Sequence, residues 1–86
     1  MPNDLEKAQI MFKLARKHNW NAKYDRTEHF KRFVNLNESL KELSKLEWIL
    51  FHKKAKFLGI SLNTEYKKEI VAFIEKNLPD LTGAII

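Results

Sequence analysis

Cysteine is absent from this 86-residue sequence, which excludes disulfides and thiolate metal sites together. A domain of this length has a small core and usually needs a staple, a metal or a partner chain as well. Well-packed helices or self-association remain as sources of stability. The lack of cysteine also fits a reducing compartment, and no apolar signal segment follows the polar start, so we expect a cytoplasmic protein.

Long apolar runs are also lacking. No unbroken run exceeds five residues, whereas a helix that crosses a bilayer needs about 20. Hydrophobic residues still make up 44% of the chain, with two Trp, two Tyr and six Phe, which is typical of a sequence that folds. Because linkers, repeats and low-complexity segments are missing, we expect one domain over residues 1–86.

Glycine and proline occur only twice each, and neither occurs between Leu36 and Leu58. Apolar residues recur there at the helical period. Around Trp48–Phe51 they cover nearly the whole circumference, which is typical of a helix surrounded by neighbours. Asn35 and Gly59 suit the two caps, so we predict one long central helix over residues 36–58.

Amphipathic segments flank this stretch on both sides. We predict a helix over about 4–18, a short helix after Asp25 whose inward residues are Phe30, Phe33 and Val34, and a last helix from 61 or 63 to about 77. The predicted fold is all-α, a compact bundle of four helices with the second one short. The apolar tail, residues 81–86, is predicted to pack on the core.

The length of the central helix favours self-association. At about 1.5 Å per residue it would extend roughly 35 Å, which is longer than a compact domain of this size is wide. Either the helix kinks or a second copy covers one end. We therefore expect a homodimer with Trp48 and Phe51 near the contact.

Acidic residues are outnumbered by basic ones, 11 against 16, for a net charge of +5. The excess belongs to the first two thirds of the chain and favours a polyanionic partner. Trp20 and Tyr24 lie among the basic residues, where they either stack on bases or pack in the core. The candidate nucleic-acid-binding residues are Lys13, Arg16, Lys17, Lys23, Arg26, Lys31, Arg32, Lys53, Lys54 and Lys56.

Residues 55–64, AKFLGISLNT, resemble the helix-turn-helix pattern of many transcription regulators. The resemblance covers only these ten residues. It implies a recognition helix in the major groove that presents Ser61, Asn63, Tyr66 and Lys67 to the bases. A helical hairpin with a glycine turn is the alternative interpretation.

Signals of catalysis are scarce. The three histidines have no metal-ligand spacing, no serine has an adjacent histidine, and neither glycine belongs to a phosphate loop. We predict a non-catalytic protein without cofactor or metal: a small basic nucleic-acid-binding protein, regulatory or architectural, for DNA or RNA. The alternative is a protein-interaction module, of adaptor, inhibitor or immunity type, that docks through an apolar helix face or the tail.

Overall fold

The computed structural model describes residues 4–81 and residue 83 of the chain. Its architecture is α+β, with helices and an antiparallel sheet sharing one core. The helices are α1 (Asp4–Arg16), α2 (Leu36–Lys45) and α3 (Lys67–Asn77), and the strands are β1 (Asp25–Arg26), β2 (Ile49–Lys53) and β3 (Leu58–Leu62). Single 3₁₀ turns cover Thr27–Phe30, Thr64–Tyr66 and Pro79–Leu81.

The sheet is built around β3. The strand order is β1-β3-β2, and both pairings are antiparallel. Strands β2 and β3 form a hairpin with Ile49 opposite Leu62 and Lys53 opposite Leu58. Its four-residue loop closes with a hydrogen bond of 3.0 Å from the Lys54 amide to the Phe57 carbonyl, a common loop length for hairpins.

The predicted all-α bundle is wrong, because the predicted central helix does not exist as one element. Helix α2 ends at Lys45 in a Schellman motif, in which the Glu47 amide donates to the Ser44 carbonyl (2.9 Å) and the Trp48 amide donates to the Leu43 carbonyl (3.1 Å). Glu47 takes the left-handed conformation, with φ of 63°. Since glycine usually fills that position, the sequence carried no visible stop signal here.

The apolar run that followed was also assigned to the wrong element. A short apolar run fits a strand as well as it fits a buried helix, and Ile49–Lys53 is a strand in which Ile49 is buried whereas Phe51 and Lys53 are exposed. The prediction of a homodimer rested on the length of the helix. Helix α1, with 13 residues, spans about 20 Å, well within the 37 Å long axis of the molecule. Helix length therefore no longer argues for a second copy.

The helix-turn-helix interpretation of residues 55–64 is also wrong. These residues form the hairpin loop, strand β3 and the start of the next turn. Ser61 does not begin a helix but lies fully buried in β3. Asn63 does act as a cap, since its side chain accepts from the Glu65 amide at 3.1 Å, but the turn that it caps is the 3₁₀ turn before α3.

One contiguous core joins the three helices to one face of the sheet. Helices α1 and α3 pack against each other, and both α1 and α2 contact the sheet. Of the three inward residues predicted for the second helix, Phe30 and Phe33 are buried, whereas Val34 is 92% exposed. The fully buried apolar side chains include Ile10, Met11, Leu14, Phe30, Leu43, Ile60, Leu62, Ile70 and Ile74.

The last predicted feature is the C-terminal tail. Leu81 ends a 3₁₀ turn after α3 and is half-buried, whereas residues 82 and 84–86 lie outside the described part of the chain. Among the described residues, none of the helices combines the length and the apolar character that a bilayer crossing requires.

Candidate nucleic-acid interface

The fold divides the ten predicted basic residues into two groups. The hairpin cluster, at the tip of the β2–β3 hairpin and beside it on β1, consists of Arg26, Lys53, Lys54 and Lys56. The groove cluster, around an open groove beside α1, consists of Lys13, Arg16, Lys17 and Arg32. Two residues lie apart from both clusters. Lys23 precedes β1, where its amide donates to the Trp20 carbonyl at 3.1 Å, and Lys31 lies in a depression that it shares with Glu28 and Glu38.

An aromatic group supports the hairpin cluster from beneath. Tyr24 lies over β3 at Gly59, where a Cβ would come within 2.4 Å of Tyr24 Cδ1. The Tyr24 ring stacks on His52 of β2, with centroids 4.8 Å apart and an interplanar angle of 24°. The Phe57 ring also lies near it, with centroids 5.9 Å apart and an interplanar angle of 35°. The hairpin tip is therefore packed against the segment before β1.

Two cations of the hairpin cluster lie over these rings. The Arg26 guanidinium is 4.3 Å from the Phe57 centroid, and the Lys54 ammonium is 5.4 Å from that of Tyr24. Cation–π contacts of this kind restrain a long side chain without neutralising its charge. The positive charge is thus held in place near the hairpin tip.

A buried hydrogen-bond chain fixes the sheet face below the cluster. The Ser61 hydroxyl donates to the Asn21 carbonyl oxygen at 2.7 Å. The Nε2 of His52 lies 2.9 Å from the Ser61 hydroxyl oxygen. Because the single hydroxyl proton is already directed at Asn21, Nε2 must be the donor to Ser61. The hydroxyl proton of Ser61 is therefore not directed at the imidazole, as the proton of a nucleophile activated by histidine would be. These hydrogen bonds connect the backbone at Asn21 to Ser61 of β3 and, through Ser61, to His52 of β2.

Few acidic groups neutralise the hairpin cluster. Glu28 pairs with Arg26 at 3.2 Å. Within residues 4–81 and 83, the three hairpin lysines make no ion pair. Lys53, Lys54 and Lys56 are all exposed. The cluster therefore presents three uncompensated charges to solvent.

Asp25 separates the two clusters. Its carboxylate pairs with His29 at 2.6 Å and with Lys17 at 3.4 Å, and its side chain is only 11% exposed. Burial alone would raise the pKa of Asp25, but the hydrogen bonds from His29 and from the Arg26 amide, together with the Lys17 charge, outweigh burial and lower it. Asp25 is therefore ionised at neutral pH and engaged with the groove side.

The aromatic residues singled out from the sequence serve packing. Trp20 pairs with Leu62 in an isolated bridge and packs against the core, so the core interpretation describes it. Trp48 packs edge-on against Phe73, with centroids 5.5 Å apart. Phe51 is 44% exposed and lies in a shallow depression between α2 and the hairpin. The predicted partner residues Trp48 and Phe51 therefore do not form one docking face.

Three residues that support the basic surface were not predicted from the sequence: His52, Phe57 and Gly59. The only signal available was a glycine flanked by apolar residues, which in a strand indicates close approach of another group. That signal can be interpreted only when residues 58–62 are known to form a strand.

No family model matches this chain, and neither a curated protein nor a solved structure resembles it significantly. Functional inference therefore depends on the geometry of the chain itself.

Proposed function

We propose that this protein binds nucleic acid without catalysing a reaction, and that the hairpin cluster makes the contact. The single observation that carries the proposal is the hairpin tip, where Lys53, Lys54 and Lys56 are exposed without ion pairs among the described residues. Clustered, solvated cations on one face are the electrostatic footprint of a phosphate-binding surface. A cytoplasmic location and a regulatory or architectural role belong to the same proposal.

The support beneath the cluster favours phosphate contacts over base stacking. Tyr24 has Gly59, His52 and the Lys54 ammonium around its ring, and Phe57 is covered by Arg26. Few ring faces are left for bases, whereas the cations point to solvent. Contacts to phosphates carry little sequence information, so we propose binding with weak sequence preference.

The test is fluorescence anisotropy with three labelled probes of equal length: a mixed-sequence DNA duplex, an RNA duplex and a single-stranded RNA. Each probe is titrated at about 50 mM and about 200 mM salt. If all four cations of the hairpin cluster contact phosphates, the slope of log K against log salt approaches about −3.6 on duplex DNA. The probe bound most tightly identifies the nucleic acid.

Matched charge reversals locate the contact. The double variant Lys53→Glu/Lys54→Glu removes two contacts and should flatten the salt slope by about two units. The control Lys68→Glu/Lys76→Glu changes the net charge equally, at two exposed lysines of α3, and should retain most of the affinity. Equal losses in the two variants, or absence of binding at low salt, would contradict the proposal.

A further inference from the structure

The groove cluster borders a second surface that the hairpin site does not use. One wall is the face of α1 that carries Gln9, Phe12, Lys13 and Arg16. Residues 9 and 13 are about one helical turn apart, and so are residues 12 and 16. The stretch from Gln9 to Arg16 extends about 10 Å. The other residues of the groove are Lys17, Arg32, Phe33, Leu78 and Leu81. An apolar floor is thus bordered by four cations.

The charge of this groove is poorly compensated. Lys17 pairs with Asp25, but Arg16 and Arg32 make no ion pair in the part of the chain that the structure describes. Lys13 donates to the His29 carbonyl and lies 4.5 Å from the centroid of Phe30. Burial lowers the pKa of Lys13, and the nearby charges of Lys17, Arg32 and Arg16 lower it further. The exposed, unpaired guanidinium groups of Arg16 and Arg32 are therefore the groups available to an external anion.

The apolar floor of the groove distinguishes it chemically from the hairpin cluster. The floor residues are only partly buried and are therefore available for apolar contacts: Phe12, Leu78 and Leu81. A phosphate backbone has no apolar groups that could pack on them. Small-molecule sites bury most of their ligand, whereas this groove is open along its length. An extended or helical segment with apolar anchors and acidic neighbours would match both the floor and the border.

We propose that the groove between α1 and the end of α3 docks a peptide segment of a protein partner that carries at least two apolar side chains flanked by Asp or Glu. Arg32 and Arg16 pair with the carboxylates, and the apolar anchors lie on Phe12, Leu78 and Leu81. This is a protein-interaction surface independent of the proposed nucleic-acid contact. The two surfaces are divided by Asp25 and its ion pairs.

The probe is a phage-displayed library of random 12-residue peptides, selected against the full-length protein and followed by anisotropy with the enriched peptides. We expect enrichment of peptides with net negative charge and two or more apolar residues. The variant Arg16→Glu/Arg32→Glu should weaken their binding at least tenfold. Leu81→Ser, which alters the floor without changing charge, should weaken it severalfold.

The variant Lys53→Glu/Lys54→Glu is the matched control, because it changes the net charge by the same amount on the other surface. It should retain peptide binding and lose nucleic-acid binding, and the groove variant should do the reverse. Circular dichroism melts confirm that each variant is folded. Failure of the hairpin site alone would therefore leave this proposal intact, and the converse also holds.

Several outcomes would overturn the proposal. Enriched peptides without acidic excess, equal binding to Arg16→Glu/Arg32→Glu, or no enrichment at micromolar protein would each do so. Displacement of the peptides by a DNA duplex would assign the groove to the nucleic-acid surface. Displacement of the peptides by oleate below its micellar concentration would assign the groove to a lipid carboxylate, provided that no peptide binds more tightly than oleate.

Discussion

The ring of Tyr24 lies directly on Gly59, where any side chain would overlap it: a Cβ at residue 59 would be 2.4 Å from Cδ1 of Tyr24 and 3.0 Å from its Cγ. Gly59 lies opposite His52 on one side and Arg26 on the other. The absence of a side chain in the middle of the sheet therefore creates the space that the aromatic support of the hairpin cluster occupies.

Replacing Gly59 with Ala should destabilise the protein by about 1–3 kcal/mol, as overpacking of a well-filled site does. Urea denaturation monitored by circular dichroism measures the effect. In a Tyr24→Ala background the same substitution should cost much less, because the ring that a methyl group would meet is gone. Equal costs in both backgrounds would show that Tyr24 does not lie on Gly59.

His18 should be a site where glycine stabilises the fold. It follows α1 in a Schellman motif, with its amide donating to the Ala15 carbonyl at 3.0 Å, and its φ is 58°. Glycine adopts this conformation without the strain caused by a Cβ. His18→Gly should therefore raise stability by about 0.5–1 kcal/mol, a shift of a few degrees in Tm.

The control for this substitution is Ala22→Gly. Ala22 is exposed and is not among the residues with positive φ, so glycine there mainly increases the entropy of the unfolded chain. Its Tm should fall slightly. Equal shifts for His18→Gly and Ala22→Gly would contradict the assignment of the left-handed conformation to His18.

Asp25 should make stability dependent on pH in the acidic range. Its folded pKa lies below the ordinary value, so its contribution is fully present above about pH 3.9 and is lost as the pH falls through the folded pKa. The Tm difference between the native protein and Asp25→Asn should be largest near neutrality and shrink below about pH 4. The control Asp80→Asn, at an exposed carboxylate, should leave the Tm at neutral pH nearly unchanged.

Tyr66 reports on the turn that ends α2. Its hydroxyl donates to a Glu47 carboxylate oxygen at 3.0 Å, and this hydrogen bond, with the charge of Glu47, raises the pKa of Tyr66. The variant Glu47→Gln keeps the shape but removes the charge. Ultraviolet titration of the tyrosinate absorbance should show one of the two tyrosines ionising at lower pH than in the native protein. An unchanged titration would indicate that Glu47 and Tyr66 are apart.

The sequence was informative where the helical period and the end signals agreed. Helix α1 was predicted over about 4–18 and observed over Asp4–Arg16, and the last helix ends at Asn77 as predicted. Helix α2 begins where Asn35 suggested, although the Asn35 side chain does not cap it. The backbone N–H of Asn35 donates to one Glu6 carboxylate oxygen at 3.0 Å, and its side-chain amide donates to the other at 3.3 Å. Amphipathic period is a local property, so it survives without knowledge of neighbours.

The prediction failed where one residue adopted a conformation that its type rarely shows. Glu47 takes the left-handed position at the end of α2, and glutamate does not mark such a position. Without the stop at Glu47, the apolar residues of β2 appeared to continue a helix. Because of the same error, Gly59 was predicted to cap a helix, whereas it is a strand residue that lies under Tyr24.

The sequence by itself determined which residues carry the positive charge, that the chain has enough apolar surface to fold, and where helix α1 lies and helix α3 ends. Only the tertiary structure decided that these charges form a hairpin cluster and a groove cluster with Asp25 between them. The physical reason is that pairing of β1 and β2 with β3 joins residues far apart in sequence. Such pairing depends on register and on the fit of Tyr24 to Gly59, which no local pattern encodes.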